Sequence, residues 1–209
     1  MPDSSSPHGS RKTRPGGRTA AVHRAVLEAA LAELAERGYG GLTFDGVAAR
    51  AGVHRSTIYR RWSSKEELAG DALLSQAVVA VPMPDTGSAM GDLEQLVVSV
   101  AGNIGSAAGE GLLRALVSDA ARAPGLVQAA SVFWERRFSL AGDVVRRGIA
   151  RGDLPGDIDV DLFIEALVAP LFFRLLVRGQ PATTTTAADL ATRIVRAAGK
   201  GAFTTGHED

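Results

Sequence analysis

The chain has 209 residues, 45% hydrophobic and 22% charged, the balance of a globular protein with a packed core rather than a disordered or fibrous one. Its 23 Lys and Arg offset 23 Asp and Glu, so net charge points to no polyanionic partner; without cysteine there is no disulfide framework, thiolate nucleophile or thiolate metal site. The most apolar stretch, 162–177, is interrupted by Glu165, Pro170 and Arg174, and the N-terminus lacks the apolar run of a secretory signal, so a cytoplasmic protein with no membrane partner is expected.

Charge is unevenly placed: residues 1–80 carry 11 Lys and Arg against 8 Asp and Glu, whereas 81–209 carry 12 against 15. The bias is sharpest in 1–18, where Arg11, Lys12, Arg14 and Arg18 face only Asp3. Such an arm suits phosphate contacts, and it equally suits a solvated tail.

From about Thr19 onward the apolar spacing is helical and no segment alternates as a strand would, so the fold is expected to be all α. A first helix is predicted over 19–37, stopping at Gly38. Thr43 caps a short second helix over 44–51 with Asp45 in its first turn, and Gly52-Val53 makes a tight turn. A short third helix spans about 54–61. Ser63 with Glu66 is expected to form the capping box of a fourth helix over 64–80, ended by Pro82 and Pro84. A loop at 81–89 leads to a fifth helix over about 90–106, then short helices across 110–122 and a break at Pro124-Gly125. A long helix over 126–151 ends in the turn 152–156, and Asp157 or Asp159 caps another that ends near Arg178-Gly179, with Pro170 expected to kink it. Thr183 to Thr186 read as a polar loop, and the last helix spans 187–198.

The informative stretch is Leu42 to Leu68. Two short helices joined by a glycine turn have the geometry of a helix-turn-helix, whose second helix is presented to the major groove. Val47, Ala48, Ala51, Val53 and Ile58 are spaced to pack the pair together. Arg55, Ser56, Thr57, Tyr59, Arg60 and Arg61 are then left facing outward, a hydrogen-bonding surface with positive charge. Guanine edges accept the arginine fork, which makes Arg55 and Arg60 candidates for base contacts; Thr43, Tyr59 and Lys65 suit phosphates. Arg60 and Arg61 are also compatible with simple solvation, and Trp62 reads as core. Lys65 opposes the dipole of the helix it opens, an awkward placement that a phosphate would relieve.

This segment resembles the DNA-binding domain of the TetR family of bacterial regulators. The pattern is carried by Thr43, Val47-Ala48, Ala51-Gly52-Val53, Thr57-Ile58-Tyr59, Trp62 and Ser64-Lys65-Glu66-Glu67-Leu68. The resemblance implies that Tyr59 and Lys65 contact phosphates and that Arg55, Ser56, Thr57 and Arg60 face the bases or adjacent backbone. It departs at His54, which also belongs to the candidate DNA surface but stands where the family commonly has serine, a better cap. Gly46 lies inside the second helix, where glycine costs roughly 1 kcal/mol relative to alanine; either a close contact or a tolerated weakness explains it.

The resemblance further implies a homodimer, a double-stranded DNA operator, repression as the default mode and a small-molecule effector that alters the separation of the recognition helices. The expected organisation is a flexible basic arm at 1–18, a helix-turn-helix domain at 19–65, a helical effector-binding and dimerisation domain at 66–203 and a flexible tail at 204–209. Apolar residues cover more than one face of the helix from Val160, which favours a homodimer, with Leu140, Val144 and Ile149 as further interface candidates. Met90, Leu112, Leu113, Phe133, Trp134, Phe138 and Phe163 are available to line an effector pocket, with Glu135 and Arg137 to supply polarity, although each also suits core packing.

An enzyme is not expected. The four histidines show no ligand spacing, Asp157, Asp159 and Asp161 read as capping residues, and no nucleophile elbow or phosphate loop is present. No catalytic residue, metal site or cofactor is therefore predicted. The remaining alternative is a helical small-molecule-binding or interaction protein without sequence-specific DNA binding.

Overall fold

A computed structural model describes residues 15–79, 81–119 and 123–205. The described residues form α1 (Pro15–Gly41), α2 (Phe44–Ala51), α3 (Arg55–Tyr59), α4 (Lys65–Val79), α5 (Ala89–Ile104), α6 (Ala107–Arg114), a π-helical turn (Ala115–Asp119), α7 (Pro124–Arg151), α8 (Val160–Leu176) and α9 (Thr184–Ala198). The fold is all α: among the described residues the only β pairing is an isolated bridge between Ile158 and Thr204. Residues 1–14 of the expected basic arm lie outside the described residues, and residues 15–18 belong to α1.

Local chemistry explains most boundaries. The continuous run of α1 is broken at Gly38, whose φ of 65° is left-handed, where the sequence calls for a stop. Thr43 and Asp159 cap α2 and α8 through side-chain oxygens that accept from Gly46 N and Leu162 N. Other boundaries correct the sequence reading. The box at the start of α4 is one residue later than expected: Ser64 Oγ accepts from Glu67 N, and the Glu67 carboxylate accepts from Ser63 N and Oγ at 2.7 and 2.8 Å. Glu66 is thereby left to receive the Tyr39 hydroxyl. Pro124 starts α7 rather than breaking a helix, because its missing N–H and fixed φ suit the first turn.

Thr184 to Thr186 form the first turn of α9 rather than a loop, since the Thr183 hydroxyl accepts from Thr186 N and supplies the cap. The helix α8 continues through Pro170 to Leu176. At the C-terminal end, Thr205 donates to Asp157 O from both its amide and its hydroxyl, at 2.9 and 3.1 Å. Two residues expected in a loose tail, Thr204 and Thr205, are therefore tied to the turn before α8; residues 206–209 lie outside the described residues.

Two cores meet in the middle of the molecule. One buries Leu34, Leu42, Ile58, Trp62, Leu68 and Leu73 and extends into Leu112, Leu116, Leu126 and Phe133 of the later helices. The other buries Leu93, Leu96, Phe163, Leu167, Leu171, Ala187 and Ala191. Trp134 packs against both. Full burial of each large side chain stabilises by about 1.5–3 kcal/mol, so these clusters decide the arrangement that capping only delimits. The helix α4 packs along α7, α1 along α6 and α5 along α9. The helix-turn-helix is thus joined to α6 and α7 through α1 and α4.

The α5–α7 join is also polar. Asp92, fully buried, accepts from Thr86 N, from Thr86 Oγ1 at 2.8 Å and from Arg151 Nη1 at 2.9 Å, and Asp153 accepts from Ala89 N at 2.8 Å. Among the described residues no single helix is long and apolar enough to cross a membrane.

Candidate nucleic-acid interface and effector cavity

Val47, Ala48 and Ile58 are buried between α1, α2 and α3, with Ala51 and Val53 half-buried against them. Gly52 makes the turn at φ 66°, a left-handed conformation that closes α2 by donating its amide to Ala48 O and Ala49 O. Because Ile58 points inward, its neighbours His54, Arg55, Ser56, Tyr59 and Arg60 are exposed, and Thr57 is half-buried. The outward face expected of the recognition helix is present. Its cap is weak, as His54 implies: His54 Nδ1 is 3.5 Å from Ser56 N, beyond a good hydrogen bond.

A shallow polar groove brings Thr43, Arg55, Tyr59 and Lys65 together, with Ser63 and Ser64 on the same rim. Phe44 supports Tyr59 edge-on, ring centroids 4.8 Å apart. Arg55 is not free in this conformation: it pairs with Asp45 at 3.0 Å, donates to Tyr59 Oη at 2.7 Å and lies over the Tyr59 ring. Asp45 and the Tyr59 hydroxyl both favour the charged guanidinium, the hydroxyl more strongly. Both partners of the Arg55–Asp45 pair are more than half exposed, so solvent screens the pair and it yields readily to a guanine or phosphate.

Lys65 also has an intramolecular partner. Its Nζ lies 4.3 Å from the Tyr39 ring centroid and 3.4 Å from Tyr39 O, so the charge at the start of α4 is accommodated without a phosphate. Trp62 is core: it is buried, stacks on His23 and donates from Nε1 to Asp71 at 2.8 Å. Gly46 has a steric reason. A Cβ there would stand 2.9 Å from Glu33 Oε2, and Glu33 is a buried carboxylate paired with Arg37 and Arg50.

At the seam of the two cores lies a narrow cavity of about 80 Å³. Leu112, Leu113, Phe133, Trp134 and Phe138 line it, joined by Leu96, Ile104, Phe172 and others. Met90 and Phe163, expected in the same pocket, are instead packed into the C-terminal core away from the cavity wall. Phe163 is fully buried against Phe203, at the opposite side of α8 from Phe172. Of the two polar candidates, Arg137 reaches the cavity, whereas Glu135 is exposed on α7 and accepts from Ser131 Oγ.

Residues 26–72 match the family described as bacterial regulatory proteins, tetR family, and residues 83–194 match the tetracyclin repressor-like C-terminal domain. The chain is 31% identical over 182 residues to the uncharacterized HTH-type transcriptional regulator YdeS of Bacillus subtilis, covering 87% of this chain and 90% of YdeS. The chain belongs to the TetR family of bacterial regulators.

As a TetR-family member it is a DNA-binding transcription regulator. AqdR of Rhodococcus erythropolis, also an HTH-type transcriptional regulator, is 33% identical over 72% of each chain. Among solved structures, TylP of Streptomyces fradiae superimposes with a TM-score of 0.66 at 25% identity, over 86% of this chain and 87% of TylP. FadR of Bacillus subtilis, solved in complex with stearoyl-CoA, shares the fold at a TM-score of 0.66 and 15% identity, over 83% and 97% of the two chains.

Several contributors were not singled out from the sequence. Asn103 and Phe172 line the cavity, and Asp45 and Phe44 hold the groove side chains. Phe172 and Phe133 come from helices brought together only by folding. The spacing of Phe133, Trp134, Arg137, Phe138 and Ala141 on one face of α7 is the signal that could have identified the wall as a unit.

Proposed function

We propose that the chain is an effector-released repressor that binds a palindromic operator as a homodimer. In this reading 19–65 is the DNA-binding domain, entered through the first turn of α1, and 66–203 is the effector-binding and dimerisation domain, closed by Thr204 and Thr205 against the turn before α8. Arg55 and Arg60 contact base edges, with His54, Ser56 and Thr57 beside them, while Thr43, Tyr59 and Lys65 hold phosphates. The observation that carries the reading is the convergence of Thr43, Arg55, Tyr59 and Lys65 on one exposed groove beside a short helix whose other face is anchored by Ile58. The Thr43 oxygen already caps α2, which leaves its hydroxyl proton for a phosphate.

Dimerisation is assigned to α8 and α9. Leu162, Phe173 and Val177 are exposed there, and Ala166, Ala169, Pro170, Leu190 and the aliphatic stems of Arg174 and Arg193 surround a shallow hollow between the two helices. Of the expected α7 contributors, Val144 is buried within the subunit, while Leu140 and Ile149 are half-buried, so α9 rather than α7 flanks the apolar face. Two-fold pairing of this face places two recognition helices on half-sites spaced by whole turns of DNA.

The cavity is the effector site in this reading. Leu112, Leu116 and Phe133 belong both to its wall and to the core beneath the helix-turn-helix. A ligand that widens it displaces the surface on which α1 and α4 rest, and so reorients α3. FadR, solved in complex with stearoyl-CoA, is a fold relative that binds a small molecule. Selection of genomic fragments with the purified protein at two salt concentrations tests the proposal. Recovery of one palindrome is expected; sequence-blind recovery that fades with salt refutes base reading by α3.

A further inference from the structure

Among the described residues Arg137 is the one guanidinium that lines the cavity, and no described carboxylate neutralises it. It projects from the middle of α7 and donates from Nη1 to Ala77 O at 2.9 Å and Val81 O at 3.3 Å, the backbone at the end of α4. Carbonyls carry partial charge only. Among the described residues Arg137 has no carboxylate partner, and its Nη2 and Nε make no hydrogen bond; the nearest acid in sequence, Glu135, is turned outward to Ser131. Around it the cavity is apolar apart from Asn103. Burial depresses the pKa of Arg137, the signature of a cation that water solvates poorly, yet an arginine stays charged. A half-buried charge without a counter-ion carries a desolvation cost, and a bound anion would offset it.

We infer that the effector is an apolar monocarboxylate whose carboxylate takes the open edge of Arg137 while its ring or chain lies among Leu96, Phe133, Trp134 and Phe172. The guanidinium fork matches a carboxylate in shape, and one cation balances one negative charge. A phosphate dianion or a nucleotide thioester would bring charge for which the cavity has no second cation. The cavity is also small, so a ring-sized ligand must spread its walls as it enters, and Arg137 in that wall is hydrogen-bonded to the last turn of α4 and to Val81 just beyond it. Ligand charge and helix-turn-helix position are coupled through the same side chain. The inference rests on the cavity being the effector site.

The test uses the full chain with 4-butylbenzoate, its methyl ester and 4-butylbenzylamine as probes, followed by thermal shift and by the fluorescence of Trp134, which lines the cavity. The acid is expected to bind the wild type at least about ten-fold more tightly than the ester, with the amine weakest. Arg137→Gln should abolish or invert the acid-over-ester preference, and Arg137→Lys should keep part of it. The wild-type comparison needs no variant, so a misfolded Arg137→Gln protein leaves the inference exposed to test. Equal binding of acid and ester to the wild type, seen by Trp134, overturns the charge assignment and leaves the cavity as the effector site. No binding by any of the three at about 1 mM overturns both.

Discussion

Arg55 and Lys65 share one groove but answer to different chemistry. Arg55 is held by two solvent-screened surface partners, Asp45 and Tyr59, and a guanine edge can replace both by offering two acceptors to one fork. Arg55→Ala is expected to relax base preference at one position of each half-site, read by competitive selection on a randomised operator. Lys65→Ala is expected to weaken binding to all sequences and to flatten the dependence of affinity on salt by about one phosphate contact, read by fluorescence anisotropy at several salt concentrations. Equal, sequence-independent losses for both would overturn the division of roles. The outward face of α3 was legible in the sequence because Ile58 and the Gly52 turn leave its neighbours no other place to go. The partners of Arg55 and Lys65 were not, since the Tyr39 ring that receives Lys65 is 26 positions away and reaches it only when α1 and α4 pack.

At the scale of elements, the short range of capping chemistry explains which boundaries could be anticipated. Thr43 and Asp159 each satisfy an amide within three residues, and both were identifiable, Asp159 as one of two options. The α4 box moved because Glu66 is drawn to Tyr39, a tertiary contact that leaves Glu67 to complete the cap. The Tyr39 hydroxyl in turn holds the Glu66 carboxyl below the usual range, as does hydrogen bonding at the helix start, and burial opposes both. Contacts between elements set a further constraint at Gly111 of α6. A Cβ there would meet Ala35 O at 2.1 Å, so α6 and α1 touch backbone to backbone. Gly111→Ala is expected to destabilise by about 1–3 kcal/mol, measured by urea unfolding, because a backbone carbonyl cannot swing aside as a side chain can. An unchanged midpoint would show that α6 can shift freely on α1, and the coupling of cavity to recognition helix through that contact would fail.

For the whole molecule, the buried Asp92 network and the α8–α9 face carry the remaining predictions. Burial by itself would raise the pKa of Asp92, but the Thr86 amide, Arg151 and the Thr86 hydroxyl together outweigh it and hold the carboxyl below its usual range. A carboxylate with a lower pKa folded than unfolded contributes stability that is complete above about pH 5 and is lost as pH falls below about 4 through the folded value. Asp92→Asn should therefore cost about 3 kcal/mol at pH 7 and make the remaining stability less sensitive to acid, measured by unfolding at pH 7 and at about pH 3. Phe173→Glu should turn the homodimer into a monomer by sedimentation and weaken operator binding at least about ten-fold while leaving the helical content intact. A dimer that survives that change would move the interface elsewhere. Sequence alone determined the all-α class, the helix-turn-helix and the outward set on α3, because helical period, glycine turns and caps act within a few residues. Only the tertiary structure decided that Val144 is core, that Met90 and Phe163 stand off the cavity, that Phe172 lines it, and that Arg137 rather than Glu135 enters it. Those outcomes depend on which faces of distant helices meet, and burial of apolar surface sets that choice for the chain as a whole.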